Sequence, residues 1–158
     1  MKDIALSLIG KHRIKAYDYR THRLKYDSGW LENLVTTVGK QLILNRLFGL
    51  SGPPASVNWL GVGTDTTAPA LNQTQLNPVI PGSTYIQAFD AGTVLAGQVV
   101  SAQATYGTSV ANFTIAEGAM FNGAVNGTAT MLNRVNITPA FTKTSALVVV
   151  YQVTFTQT

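Results

Sequence analysis

Two histidines, seven carboxylates and no cysteine make up the reactive inventory of this 158-residue chain. Without cysteine there are no disulfides, thiolate zinc centres or thiol nucleophiles. His12 and His22 share one basic stretch, with Asp18 the only acid between them. A metal centre needs further imidazole or carboxylate ligands close by, so both histidines are expected as solvated strand residues. A hydrolase of the serine or threonine type needs a nucleophile, a base and an orienting acid. Neither histidine has that context, and no Gly-x-Ser-x-Gly occurs. A glycosidase needs two carboxylates across a cleft. Past residue 46 the acids are Asp65, Asp90 and Glu117, each at an expected turn or strand end, where backbone reasons account for them. Gly61-Val62-Gly63-Thr64 resembles a fragment of a phosphate loop, but the lysine and the following helix are missing. The chain therefore reads as a non-enzyme without a cofactor or a metal.

Charge points to contacts instead. Lys2, Lys11, Arg13, Lys15, Arg20, Arg23, Lys25, Lys40 and Arg46 stand against Asp3, Asp18, Asp27 and Glu32, so the first 46 residues are net +5. The rest holds Arg134 and Lys143 against three acids, net −1. Lys11, Arg13, Lys15, Arg20, Arg23 and Lys25 are the candidate docking residues, on an arm that would meet an acidic partner subunit. Asp18 and Asp27 interrupt this stretch and no nucleic-acid motif accompanies it, so nucleic acid is not the expected partner. Only 11% of the residues are charged while 46% are hydrophobic. Such a surface suits a chain packed against other subunits, since uncharged polar groups are cheaper to desolvate. No stretch reaches the ~18–20 apolar residues of a membrane span, and Met1 to Gly10 reads as a strand rather than a signal peptide.

The elements that would position these residues are mostly strands. Ile4–Ile9 is a short apolar run, and Arg13–Asp18 with Arg23–Asp27 forms a hairpin turning near Arg20-Thr21-His22. One helix is expected over residues 31–49, from Leu31, Leu34, Val35, Val38, Leu42, Ile43, Leu47 and Phe48 at helical spacing. Ser28 would cap it, with Glu32 in its first turn and Gly49 at its end. Gly39 costs it ~1 kcal/mol of propensity. Further strands are expected over Val57–Val62, Thr84–Phe89, Thr93–Tyr106, Ala111–Ile115, Ala119–Asn122, Thr128–Thr138 and Ala146–Thr156. Gly63 to Pro81 is a long loop expected to lie over a surface or a neighbour. Trp30 and Trp59 are both expected in the core, and Lys143 is expected to be solvated at a turn. Glu117 and Arg134, two of the few charges in the body, are expected to pair because lone buried charges are costly. The fold class is mainly β: a single β-sandwich or jelly-roll-like domain with one N-terminal amphipathic helix. Within residues 1–158 it divides into an arm (1–30), a helix (31–49) and a body (55–158).

Two segments carry a family resemblance. One is Asn58-Trp-Leu-Gly-Val-Gly-Thr-Asp-Thr-Thr-Ala-Pro-Ala-Leu-Asn-Gln-Thr-Gln-Leu76. The other runs from Thr114-Ile-Ala-Glu-Gly-Ala-Met-Phe-Asn122 through Met131-Leu-Asn-Arg134 and Thr142-Lys-Thr144 to the strand Leu147–Phe155. With the upstream Asn33-Leu-Val-Thr, this order resembles tailed-phage virion proteins of the head-fibre, decoration and neck or tail type, over about residues 29–156. Ala119 stands where that pattern has a larger apolar residue. The resemblance implies a structural protein of the virion, acting by self-association and by docking on capsid, portal or tail subunits. The alternative is a receptor- or carbohydrate-binding module of a phage fibre.

Overall fold

Alternation of apolar and polar residues dictates strands, and strands dominate the computed structural model, which describes residues 8–49, 54–77 and 85–157. The elements among these residues are β1 (Leu8–Asp18), β2 (Leu24–Asp27), β3 (Leu31–Glu32), β4 (Leu34–Val35), α1 (Thr37–Phe48), β5 (Trp59–Gly63), β6 (Ile86–Ala88), β7 (Val94–Ala96), β8 (Val99–Tyr106), β9 (Thr114–Phe121), β10 (Met131–Thr142) and β11 (Leu147–Gln157). The protein is mainly β, with two antiparallel sheets and one helix. The first sheet runs β2-β1-β11-β8-β7, with β3 also on β1; the second runs β4-β10-β9-β5-β6.

β11, the clearest alternating segment, is flanked on both sides. It pairs with β1 from Leu8↔Gln157 to Asp18↔Leu147, and with β8 from Val149↔Tyr106 to Thr156↔Val99. This register aligns Ile14, Ala16, Val149, Tyr151, Val153, Ala104 and Tyr106 in one buried cluster with Leu60, Val62, Val135 and Ile137 of the second sheet. Tyr106 ties the sheets directly, its hydroxyl donating to the Leu60 carbonyl at 2.6 Å.

The N-terminal elements differ from the sequence expectation. The β1–β2 hairpin forms as expected, its turn held by the Asp18 carboxylate, which accepts from the Thr21 and Arg20 N–H groups. Of the expected Ile4–Ile9 strand, residues 4–7 lie outside the described residues. The helix begins at Thr37, not Leu31, and its cap is Thr36. Leu31–Glu32 pairs with β1 and Leu34–Val35 with β10, so this segment crosses from one sheet to the other. Two open strand edges outcompete helix formation for the same apolar residues. Ser28, far from the helix, accepts from the Ile14 N–H instead, and Glu32 lies opposite Lys11 across the β1–β3 pair. Trp30, expected in the core, is 44% exposed.

Farther along, the two expected strands between Ala111 and Asn122 merge into β9. Gly118 lies within it, at a place where a side chain would run into the Tyr151 hydroxyl. The stretch from Thr93 to Tyr106 instead divides into β7 and β8 around Gly97, which has a φ of 59°.

α1 lies against β10 at one point of close approach. Thr36 Oγ1 donates to the Met131 carbonyl (2.9 Å) and accepts from the Gly39 N–H (3.0 Å). A Cβ on Gly39 would collide with the Leu132 carbonyl. Gly49 ends the helix in the left-handed conformation, bonding back to Asn45. Propensity alone favours Gly39→Ala by ~1 kcal/mol, but overpacking against backbone costs ~1–3 kcal/mol or more. Gly39→Ala is therefore expected to lower stability, seen as an earlier midpoint in denaturant unfolding.

Candidate functional site

Strand alternation puts Gly61 and Gly63 on the same face of β5 as Glu117 of β9, which pairs in register with Gly63. A Cβ on Gly63 would enter the Glu117 carboxylate, and one on Gly61 would press on Phe121 at 2.8 Å. The two glycines therefore make room for side chains rather than cradle a phosphate. Into that room comes Arg134 of β10, wholly buried like Glu117. Its Nε donates to Glu117 Oε2 at 2.6 Å. Nη1 donates to the Thr67 carbonyl (2.9 Å) and Gln73 Oε1 (3.2 Å), and Nη2 to Asp65 Oδ2 (3.1 Å). Glu117 Oε1 accepts from the N–H groups of Asn77 (2.9 Å) and Asp65 (3.4 Å).

The expected Glu117–Arg134 pair thus exists, and it fastens the described part of the long loop, residues 64–77, onto the second sheet. Asn126 completes the attachment, its amide accepting from and donating to the backbone of the buried Leu76 at 3.1 Å each way. Burial pushes the Glu117 carboxyl above its ordinary value, while Arg134 and the two backbone N–H groups pull it down. Those partners all donate, so the group is a carboxylate at neutral pH. Hydrogen bonds from Thr67, then Arg134, hold Asp65 below the usual carboxylate value.

His12 contradicts its expected place in solvent: it is fully buried between the sheets. Its ring lies where β1 faces β10, because even-numbered residues of β1 turn to the core. Asn133 Oδ1 accepts from the Met120 N–H (3.0 Å), so Asn133 Nδ2 must donate to His12 Nε2 (3.1 Å). Asn33 Nδ2 lies 3.0 Å from the same nitrogen. Nδ1 therefore carries the proton and donates to the Tyr151 hydroxyl at 2.5 Å. Burial lowers the His12 pKa to about 3. Lys143 is likewise buried rather than solvated, donating to the Gly107 carbonyl (2.8 Å) and Asn112 Oδ1 (2.9 Å). Sequence reasoning placed it at a turn correctly, but the 107–113 loop folds over it.

The six basic docking candidates do not act as one unit. Arg13 is held by Asp27 through Nε (2.8 Å) and Nη2 (2.5 Å), which lowers the Asp27 pKa to about 2. Lys15 is half-buried opposite Asp27, and Lys11 is exposed opposite Glu32. Arg20, Arg23 and Lys25 are exposed at the hairpin turn and on β2. β1 is paired with β11 along its whole length, so this segment is part of the first sheet.

Sequence reasoning missed one feature. On the outer face of the first sheet, Gln152 pairs in register with Gln103, and Thr154 with Ser101. These four side chains and Trp30 line an open concavity of about 400 Å³. The Arg13 guanidinium lies over the indole, 5.8 Å from its centroid. The clue in the sequence was Gly29-Trp30 directly after a hairpin arm, where a turn interrupts the core-facing pattern. Among the described residues no group of three or more His, Asp and Glu gathers as a metal site. Compared with known proteins, the chain matches no family model and no curated protein at a significant level.

Arg134→Ala would leave Glu117 buried without its cation and is expected to cost ~3–5 kcal/mol in denaturant unfolding. The double change Arg134→Met with Glu117→Leu is expected to restore only part of that loss, because the Thr67, Gln73, Asp65 and Asn77 groups that bond the pair lose their partners. For His12, the folded pKa lies below the unfolded one. Its stabilisation is therefore complete above pH ~6.5 and drains away as pH falls toward ~3. At pH 4.5 the loss is expected to be roughly 2–3 kcal/mol. His12→Gln should flatten the stability–pH curve across that window, measured as unfolding midpoints against pH.

Proposed function

We propose that this chain is a non-enzymatic structural component of a tailed-phage particle, of the capsid-decoration, head-fibre or neck–tail type. It is folded as a single β-sandwich domain and works in the virion by self-association and by docking on capsid, portal or tail proteins. The observation that carries this reading is where large apolar side chains stay uncovered. On α1, Leu47 and Phe48 are 67% and 69% exposed, beside the exposed Leu44; at the β7 edge, Leu95 is 72% exposed beside Val94. Contiguous exposed apolar side chains mark interaction surfaces. β7 ends the first sheet, and an edge strand offers backbone groups to a neighbour. With so few charges to hold such faces apart in solution, contact between subunits is the economical arrangement.

The residues behind the virion-protein resemblance support the same reading. Gly63, Asp65, Leu76, Glu117 and Arg134 converge on one loop attachment, which builds a rigid body rather than a reactive centre. Arg20, Arg23 and Lys25, exposed together at the hairpin turn and on β2, supply a positive surface for an acidic partner.

A second reading, a receptor- or carbohydrate-binding module of a fibre, is favoured by the exposed Trp30. For the first reading, light scattering after size exclusion is expected to give a trimer or a ring, since closed symmetry is the rule. Leu47→Lys with Phe48→Glu is expected to reduce it to monomers with an unchanged far-UV spectrum. A chain that stays monomeric at every concentration removes self-association from the proposal.

A further inference from the structure

We propose that the open outer face of the first sheet beside Trp30 binds a neutral, hydroxyl-rich saccharide. This inference gives the second reading above its ligand and its site. It rests on that reading and not on self-association.

The platform is aromatic and pre-positioned. Trp30 follows Gly29, whose φ of 66° turns the chain out of β2. The turn is anchored by the Asp27 carboxylate, which accepts from the Gly29 N–H at 2.9 Å. The same carboxylate grips Arg13, and Arg13 covers part of the indole. A ring held this way loses little freedom on binding, which lowers the entropic cost of holding a ligand. The apolar C–H face of a sugar ring fits an exposed aromatic face, because each covers the other from water while the hydroxyls stay free to bond sideways.

The floor supplies those partners. Gln103 and Gln152 carry amides, and Ser101 and Thr154 carry hydroxyls, so both donors and acceptors are present. Neighbouring strands set them about 5 Å apart, close to the span of a sugar ring. Gln103 is already oriented, its Nε2 donating to Asp90 Oδ2 at 3.2 Å and its Oε1 accepting from Gln152 Nε2 at 3.5 Å, which leaves the Gln152 side-chain carbonyl oxygen and the Ser101 and Thr154 hydroxyls facing a ligand. The volume of about 400 Å³ is at the small end of ligand sites, which run ~300–1,000 Å³, and suits one or two rings.

Charge selects the class. Arg13 is neutralised by Asp27, and Asp90 is occupied by Gln103 and by the N–H and hydroxyl of Thr105. Lys11 is the neighbour of Thr154 on β1, with Glu32 on its other side in register. The floor itself is uncharged, which disfavours phosphates and nucleic acid and leaves neutral hydroxyl groups as the fitting chemistry.

The test is a glycan array followed by calorimetric titration of the best neutral oligosaccharide, with light scattering on the same samples. Binding is expected to be insensitive to salt and weakened at least about tenfold by Trp30→Ala and by Gln103→Ala with Gln152→Ala. These are surface changes, so the far-UV spectrum should stay the same. Silence toward neutral glycans, or binding that survives Trp30→Ala, overturns the proposal while leaving the oligomer reading untouched. Binding confined to sialylated or sulfated glycans and lost with Lys11→Ala overturns it too. Dissociation of the oligomer by Trp30→Ala would reassign this face to contacts between copies of the chain.

Discussion

The Arg134 guanidinium reaches the Glu117 carboxylate at 2.6 Å with both side chains completely buried, and the outer side of the second sheet is organised around that contact. Burying two charges is costly unless every remaining donor and acceptor is satisfied. Here the satisfying groups come from the backbone and side chains of residues 65–77, so the loop must lie down for the pair to be tolerated. The requirement runs outward through the sequence. Gly63 must lack a side chain, Asp65 and Gln73 must supply oxygens, and Leu76 must enter the face that Asn126 closes. Residues 65–77, polar and without regular structure, are thereby fastened to the second sheet.

The inner side follows a similar logic with neutral groups. His12 is hydrogen-bonded to Tyr151 of its own sheet, to Asn33 in the crossing segment and, across to the second sheet, to Asn133 of β10. Asn133 is fixed at both ends of its amide, to the Met120 N–H and to His12, so its bond to His12 helps to set how the sheets align, beyond what apolar contact demands. It also makes the alignment conditional on a neutral imidazole.

The surfaces that the described residues present to a partner differ in kind. The C-terminal half of α1 and the β7–β8 edge are apolar. The hairpin turn with Arg20, Arg23 and Lys25 is cationic. On the outer face of the first sheet, the patch of Ser101, Gln103, Gln152 and Thr154 beside Trp30 is uncharged and polar. These four faces, all among the described residues, are the ones the proposed assembly and recognition would use.

Much of the architecture was legible in the chain itself. The alternation of Leu147 to Phe155, the hairpin at Asp18–Arg23, the Gly49 helix stop and the scarcity of charges determined strands, turns and the mainly β class, because those signals act between residues close in sequence. Glu117 and Arg134 could be paired on the cost of burying a lone charge. What local signals could not decide was which of two favourable states a segment takes when a distant strand competes for it. Leu31 to Val35 has helical spacing, yet edges supplied by β1 and β10, the latter about a hundred residues away, draw it into strands and shift the cap to Thr36. His12 and Lys143 look like solvent-facing polar residues until Asn133, Tyr151 and the 107–113 loop arrive from elsewhere to satisfy them. Trp30 reads as core from its place at the start of the expected helix and is left outside by the turn at Gly29. In each case the deciding partner is remote in sequence, so only the tertiary structure could settle the outcome.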